Sequence, residues 1–164
     1  MPTEMTLTTR PYRPTDLDGL VALFQRSVHE LGAQAYDPDQ LGAWAPDPPE
    51  TERWRKRFVD LVTLIAESDG EPAGFLGYEL DGHIDLLYTS PRHTRRGVAR
   101  MLLARAESDL IGHGASEAYT EASRIARPFF EAHGFHVTEE QTVERDGIKL
   151  QRFAMRKNLD RAAR

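Results

Sequence analysis

Cysteine is absent from this 164-residue chain, which excludes disulfide stapling, a thiolate nucleophile and thiolate metal ligands. Long apolar runs are missing as well. No stretch approaches the roughly 20 residues that a membrane-crossing helix needs, and the N-terminus carries no apolar segment of the signal-peptide kind. A soluble cytoplasmic protein with no membrane partner is the expectation. The six histidines, at 29, 83, 93, 113, 133 and 136, show no His-x-x-x-His spacing, so no metal site is expected. Neither a Gly-Lys-Ser/Thr loop nor a Gly-x-Gly-x-x-Gly turn occurs, which excludes a Walker-type phosphate loop and a dinucleotide fingerprint. Excess positive charge is lacking too: the net charge is -5, which argues against nucleic acid as the main partner.

What is present is unevenly spread. Residues 1–82 hold 7 basic and 15 acidic side chains and residues 83–164 hold 14 and 11, so a negative first half precedes a positive second half that suits an anionic ligand. With 40% hydrophobic residues, the chain can bury the core of one α/β domain and is too short for two. That domain is placed at residues 1–160, with a frayed tail at 161–164.

The most informative stretch runs from Ile84 to Leu103. Ile84 to Thr89 is β-branched, aromatic or aliphatic and stops at Pro91, as a strand does. After Gly97, the apolar positions Val98, Leu102, Leu103, Ala106 and Leu110 recur at helical spacing, and Gly112 and Gly114 punctuate the end. The first N–H groups of such a helix have no internal partner and bear partial positive charge. Gly97 and Ala99 leave the backbone open to an anion, while Arg92, Arg95, Arg96 and Arg100 add guanidinium forks that match phosphate oxygens. A ligand with several phosphates is implied.

Strands are expected near 5–10, 61–68, 73–80, 83–89, 117–122, 134–143 and 148–157. Helices are expected at about 16–31, after Gly97 and near 126–133, with a loop-helix region over 32–60. A hairpin turn is expected at Arg145-Asp-Gly147.

Four segments then carry a family resemblance. Leu87-Tyr-Thr-x-Pro91 followed by Arg96-Gly-Val-Ala-Arg-x-Leu-Leu103 resembles the acetyl-CoA-binding motif of the GNAT N-acetyltransferases. Glu121-Ala-Ser with Ala126-Arg-Pro-Phe-Phe-Glu-x-x-Gly-Phe135 resembles their second signature. Glu71-Pro-Ala-Gly-Phe-Leu-Gly-Tyr78 resembles the preceding strand, and Arg10-Pro-x-Arg-x-x-Asp16 resembles the first strand and helix. The resemblance implies an α/β GNAT fold: a mixed, mostly antiparallel central sheet with flanking helices and a V-shaped split between its two middle strands. It implies acetyl-CoA as the cofactor, held by Leu87, Tyr88, Thr89, Arg95, Arg96, Gly97, Val98, Ala99, Arg100, Ser123 and Phe130. The implied activity is transfer of an acetyl group to a primary amine of a small molecule by direct attack on the thioester. A catalytically silent acyl-CoA sensor and a peptide or protein acetyltransferase stay open beside it, as do monomer and homodimer.

Acetyl transfer needs an amine made neutral before it attacks. His83 falls where histone-acetylating relatives place a catalytic glutamate, and its ordinary pKa of about 6.5 suits a base. Strand alternation puts His83, Asp85, Leu87 and Thr89 on one face, so Asp85 is the expected orienting partner. Relatives commonly carry Phe-Tyr where this chain has Phe129-Phe130, so their tyrosine proton donor is missing here. Substrate contacts are expected from His29, Tyr36, Trp44, Tyr119 and Glu121, since aromatic faces hold cations.

Overall fold

The computed structural model describes residues 6–159, and the expected frayed tail lies outside them. Seven strands form one sheet in the order β1-β2-β3-β4-β5-β7-β6. They are β1 (Leu7–Pro11), β2 (Val62–Ser68), β3 (Glu71–Tyr78), β4 (His83–Thr89), β5 (Glu117–Ala122), β6 (His136–Arg145) and β7 (Ile148–Asn158). All neighbours are antiparallel except β4 and β5. The β6–β7 turn is built by Asp146 and Gly147, at φ 50° and 78°, the two positive-φ positions that a two-residue hairpin loop demands.

Alternating side chains give the sheet two apolar faces, and each is covered by helices. One face buries Leu76, Ile84, Ala118 and Met155 beneath α4 (Val98–Gly112) and α5 (Arg127–Ala132), through Leu102, Leu103, Leu110 and Phe130. The other buries Ile65, Phe75 and Leu86 beneath α1 (Leu17–Arg26) and α3 (Thr51–Asp60), through Leu20, Leu23, Phe24, Trp54 and Phe58. Gly74 sets the height of α4: a Cβ there would lie 2.8 Å from Val98 Cγ1 and 2.9 Å from the Tyr88 carbonyl oxygen. The helix therefore rests directly on the backbone of β3, with its N-terminus beside the end of β4.

The helix expected over 16–31 ends earlier, at Arg26, and continues as a π turn over Ser27–Leu31. The loop-helix region resolves into α2 (Pro38–Trp44) and α3. A capping box starts α2: Asp37 accepts from the Gln40 backbone N–H, and Gln40 Oε1 accepts from the Asp37 N–H. The Gln40 side-chain amide then donates to the Lys149 carbonyl, fastening α2 to β7.

Two irregularities in β4 decide where the chemistry can sit. Against β3 the register runs Gly77 with Leu86 but Tyr78 with Ile84, so Asp85 is an extra residue, a β-bulge. This corrects the alternation expected from sequence. Asp85 reaches Arg57 of α3 and Leu86 packs in the α1–α3 core, so two successive residues serve one face. Leu87 then packs with Ile84 on the α4 face, opposite to His83 and Asp85. The second irregularity is the edge toward β5, where only His83 with Tyr119 and Ile84 with Thr120 are paired. Beyond them the strands part, and the expected V-shaped split opens toward their C-terminal ends.

Candidate active site

At the open end of the split lies the arginine turn. Gly97 is the N-cap of α4 at φ 79°, and Arg95 is at φ 61°. The αL backbone at Gly97 suits glycine, and a Cβ there would meet only Arg100 Nη2, at 3.7 Å. Open space thus separates the helix start from a guanidinium that reaches back over it. Val98 is buried and anchors the helix, whereas Ala99 is half-buried and Arg95, Arg96 and Arg100 are exposed. Among the described residues Arg95 and Arg100 have no ion-pair partner. The first helical N–H groups, the positive end of a 15-residue helix and cationic side chains converge on one concavity, as an oligophosphate requires. From this turn the β5-facing edge of β4, Leu87 to Thr89, runs back toward the apex without a strand neighbour among the described residues. Its backbone groups are available to an extended ligand carrying amides. The residues present therefore fit acetyl-CoA.

A second cluster stands at the apex of the split. His83 donates from Nδ1 to Glu79 Oε1 at 2.7 Å and from Nε2 to Glu121 Oε1 at 2.8 Å. Its ring stacks on Tyr119, with centroids 4.8 Å apart, and the Tyr119 hydroxyl donates to Asp81 Oδ2 at 2.6 Å. The hydrogen bond to Glu121 is the main influence lifting the His83 pKa to about 9, against an opposing desolvation and with help from Glu79. The same bond holds the Glu121 carboxyl below its usual range. The ring is therefore an imidazolium at neutral pH, unlike the near-neutral base expected from its ordinary value. Asp85 is close, but its hydrogen bonds come from Arg57, whose Nε and Nη2 both donate to Oδ2 at 3.0 and 2.8 Å. The direct partners of His83 are Glu79 and Glu121. Sequence reading missed Glu79 and Arg57. The only signal was the tight hairpin, closed by Glu79 N–H to the His83 carbonyl, which brings residues four apart together.

The other expected residues fall into two groups. Tyr88 and Trp44 meet on the α1–α3 side of the sheet: the Trp44 indole donates to the Tyr88 hydroxyl at 3.2 Å, and Tyr88 packs edge-on to Phe24. Burial raises the Tyr88 pKa. Its side chain thus faces the helices of the first half, while its backbone belongs to the β4 edge. Tyr36 is 6% exposed, and its hydroxyl donates to the Gln151 carbonyl and accepts from the Arg124 N–H. It is a strut joining three segments, and only its ring is left for contact. His29 hydrogen bonds through Nε2 to the Ala45 carbonyl. Ser123 Oγ accepts from the Ala126 N–H at the start of α5. Phe130 is 2% exposed and wedged between Phe129 and Phe135, a packing residue of the α4–α5 core with no hydroxyl to offer. Trp54 is likewise a core anchor, packed in tilted and edge-on contacts among Phe24, Phe58 and Phe75. A cavity of about 400 Å³, lined by Ala43, Pro46, Glu50, Arg53, Arg145 and Asp146, lies between the α2–α3 connection and the β6–β7 turn.

A seven-stranded sheet that splits beside a glycine-opened, arginine-rich helix start is the architecture of an acyl-CoA-dependent transferase. The chain belongs to the GNAT acetyltransferases: residues 32–158 match the family described as "Acetyltransferase (GNAT) domain". It is similar to the uncharacterized N-acetyltransferase YafP of Escherichia coli K12, with 37% identity covering 90% of this chain and 93% of that protein. Among solved structures, a GCN5-related N-acetyltransferase from Rhodopseudomonas palustris superimposes with a TM-score of 0.90 at 31% identity, covering 96% of this chain and 99% of that one. The PaiA N-acetyltransferase of Thermoplasma acidophilum, solved in complex with coenzyme A, superimposes with a TM-score of 0.77 at 23% identity, covering 94% of this chain and 99% of that one. At that identity the likeness is one of fold. No described helix is long and apolar enough to cross a membrane.

Proposed function

We propose that this acetyltransferase uses acetyl-CoA to acetylate a primary amine of a small molecule. The observation that carries the reading is the β5-facing edge of β4, left without a strand neighbour among the described residues, leading straight into the open αL turn at Gly97: one continuous track with amide-binding backbone at one end and an anion cradle at the other. The N–H groups of Gly97, Val98 and Ala99, with Arg95, Arg96 and Arg100, hold the phosphates. Leu87, Tyr88 and Thr89 offer backbone groups to the pantetheine arm, and Phe130 forms the apolar floor below it. Bound acetyl-CoA supplies an activated acetyl thioester for direct attack by the amine.

The chain's own residues prepare that amine. His83 and its two carboxylate partners, 2.7 and 2.8 Å away, stand where β4 and β5 part. The set carries a net negative charge at neutral pH and attracts an ammonium group. Proton removal falls to the His83–Glu121 pair, directly or through water. Asp85, clamped by Arg57, adds negative charge to the same face. Tyr119 positions the imidazole by stacking, and Trp44 with Tyr88 forms an aromatic wall. His29 and the ring of Tyr36 lie on the acceptor-side segment that precedes Trp44.

The test is thiol release from acetyl-CoA across aminoglycosides, polyamines, amino acids, arylamines and lysine peptides, beside a calorimetric coenzyme A titration. Turnover on a small amine is the expected result. Selective turnover on peptides would replace the substrate class, and absence of coenzyme A binding would overturn the reading.

A further inference from the structure

The apex of the split holds three groups of metal-ligating chemistry on one point. His83, Asp85 and Glu121 each offer one donor atom, and these atoms all lie within 4.8 Å of one another. They come from β4 and β5, the rigid centre of the sheet, and their side chains are 14%, 22% and 27% exposed. We propose that this triad is a binding site for a divalent transition metal, Zn²⁺ foremost, with ligands His83 Nε2, a Glu121 oxygen and an Asp85 oxygen.

Three features beyond proximity support the assignment. The His83 Nδ1 is already committed to Glu79 Oε1 at 2.7 Å, the carboxylate–histidine pairing that fixes the ring and presents Nε2 to an ion. Arg57 donates from Nε and from Nη2 to the same Asp85 oxygen, Oδ2, which orients the carboxylate and leaves the lone pairs of Oδ1 for coordination. Asp85, two residues from His83, and Glu121, two residues from its strand partner Tyr119, fall on one sheet face by alternation, and the β-bulge adds Leu86 to that face without moving Asp85 off it, so the three donors converge. The ion takes the place of the proton now shared between Nε2 and Glu121 Oε1, 2.8 Å apart. Tetrahedral coordination with bonds of about 2.0–2.1 Å separates donors by about 3.4 Å. The His83–Glu121 gap therefore widens by a few tenths of an ångström and the Asp85 gap narrows, both within the reach of side-chain rotation.

The donor set selects the class of ion. One imidazole and two carboxylates suit Zn²⁺ and its first-row neighbours. Ca²⁺ calls for about 6–8 oxygens, and Mg²⁺ disfavours a nitrogen ligand. Three protein ligands leave a fourth position open to water. An ion here occupies the imidazole and carboxylate assigned to deprotonating the amine, so metal loading suppresses acetyl transfer.

Chelator-stripped full-length protein titrated with Co²⁺ reads the site by visible absorption, with no acetyl transfer involved, so its outcome is separate from that of the acetyltransferase reading. One saturating equivalent of an intense low-coordinate Co²⁺ spectrum, displaced by Zn²⁺, is expected. His83→Ala and Glu121→Gln abolish it, Glu79→Gln weakens Co²⁺ binding about 10–100-fold, and His113→Ala leaves it unchanged. Circular dichroism establishes that each variant is folded, and Glu121→Gln preserves side-chain volume should His83→Ala unfold. Absence of the spectrum at equimolar Co²⁺, or its persistence in folded Glu121→Gln and His83→Ala, overturns the proposal.

Discussion

Gly97→Ala separates conformational strain from ligand contact, because the protein contains its own controls. Gly70 and Gly147 share the backbone of Gly97, at φ 80°, 78° and 79°, and an added Cβ meets nothing within 4 Å at the first two and only Arg100 Nη2 at the third. Each alanine therefore bears the same left-handed penalty of about 1–2 kcal/mol, equivalent to a melting midpoint about 2–8 °C lower in a domain of this size. Only at position 97 does the methyl group enter the space between the helix start and the guanidinium of Arg100. Losing one charge-assisted hydrogen bond there costs about 1.5–3 kcal/mol, which raises the Kd for coenzyme A roughly 10- to 150-fold. Calorimetric titration of the three variants beside the parent measures this directly, and scanning calorimetry checks that their stabilities fall together. A Gly97→Ala protein that binds coenzyme A as tightly as the Gly70→Ala control would refute the placement of the anion at this turn.

The pH profile of chelator-treated enzyme follows from the neighbours of His83, namely Glu79, Asp81, Asp85, Tyr119 and Glu121, with Arg57 and Arg152 just beyond. With the His83 pKa lifted to about 9, kcat/KM rises as pH increases from 7 through about 9, and His83→Gln flattens that limb; an inflection near 6.5 in the parent would contradict it. The same shift stabilises the fold fully below about pH 6.5 and progressively less as pH rises through about 9, so the parent loses more of its melting temperature between pH 7 and 10 than His83→Gln does. Gly82→Ala is the most destructive single methyl, because its Cβ would lie 2.2 Å from the Glu117 carbonyl oxygen at φ 116°. We expect a loss above about 3 kcal/mol, on the scale of strain combined with overpacking, read as a drop in denaturation midpoint and weaker amide protection at Tyr119, whose N–H donates to the Gly82 carbonyl.

What the sequence revealed was mostly local. The strand to Thr89, the turn at Gly97 and the periodicity of Val98, Leu102, Leu103, Ala106 and Leu110 are each signals between near neighbours in the chain, so β4 and α4 were legible nearly to the residue. The hairpin at Asp146-Gly147 was legible for the same reason, since positive φ is written in residue type. The bulge at Asp85 was hidden because it is a property of the register between two strands, and perfect alternation was the natural reading of β4 alone. The proton affinity of His83 was hidden too: Glu121 lies 38 residues away and reaches the imidazole only through the parallel pairing of β4 with β5. Tyr36 shows the converse. Its aromatic character suggested a binding role, yet contacts with Arg124 and Gln151, 88 and 115 residues distant, occupy its hydroxyl.

The bulge also makes β4 a gauge whose length is counted in whole residues. From Asp85 to Thr89 the strand advances four steps of about 3.3 Å, setting the apex about 13 Å from the start of the arginine turn. Inserting one residue after Asp85 would exchange the faces served by Leu86, Leu87 and Tyr88, putting core side chains where solvent or ligand belongs. Inserting two would restore the faces yet lengthen the gauge by about 7 Å, so that a ligand seated on the turn would no longer present its far end to His83. Deletions fail by the same arithmetic. Length variation should therefore be tolerated in the proline-rich connection between α2 and α3 and refused between Asp85 and Gly97, a contrast that a scan of single-residue insertions would display position by position.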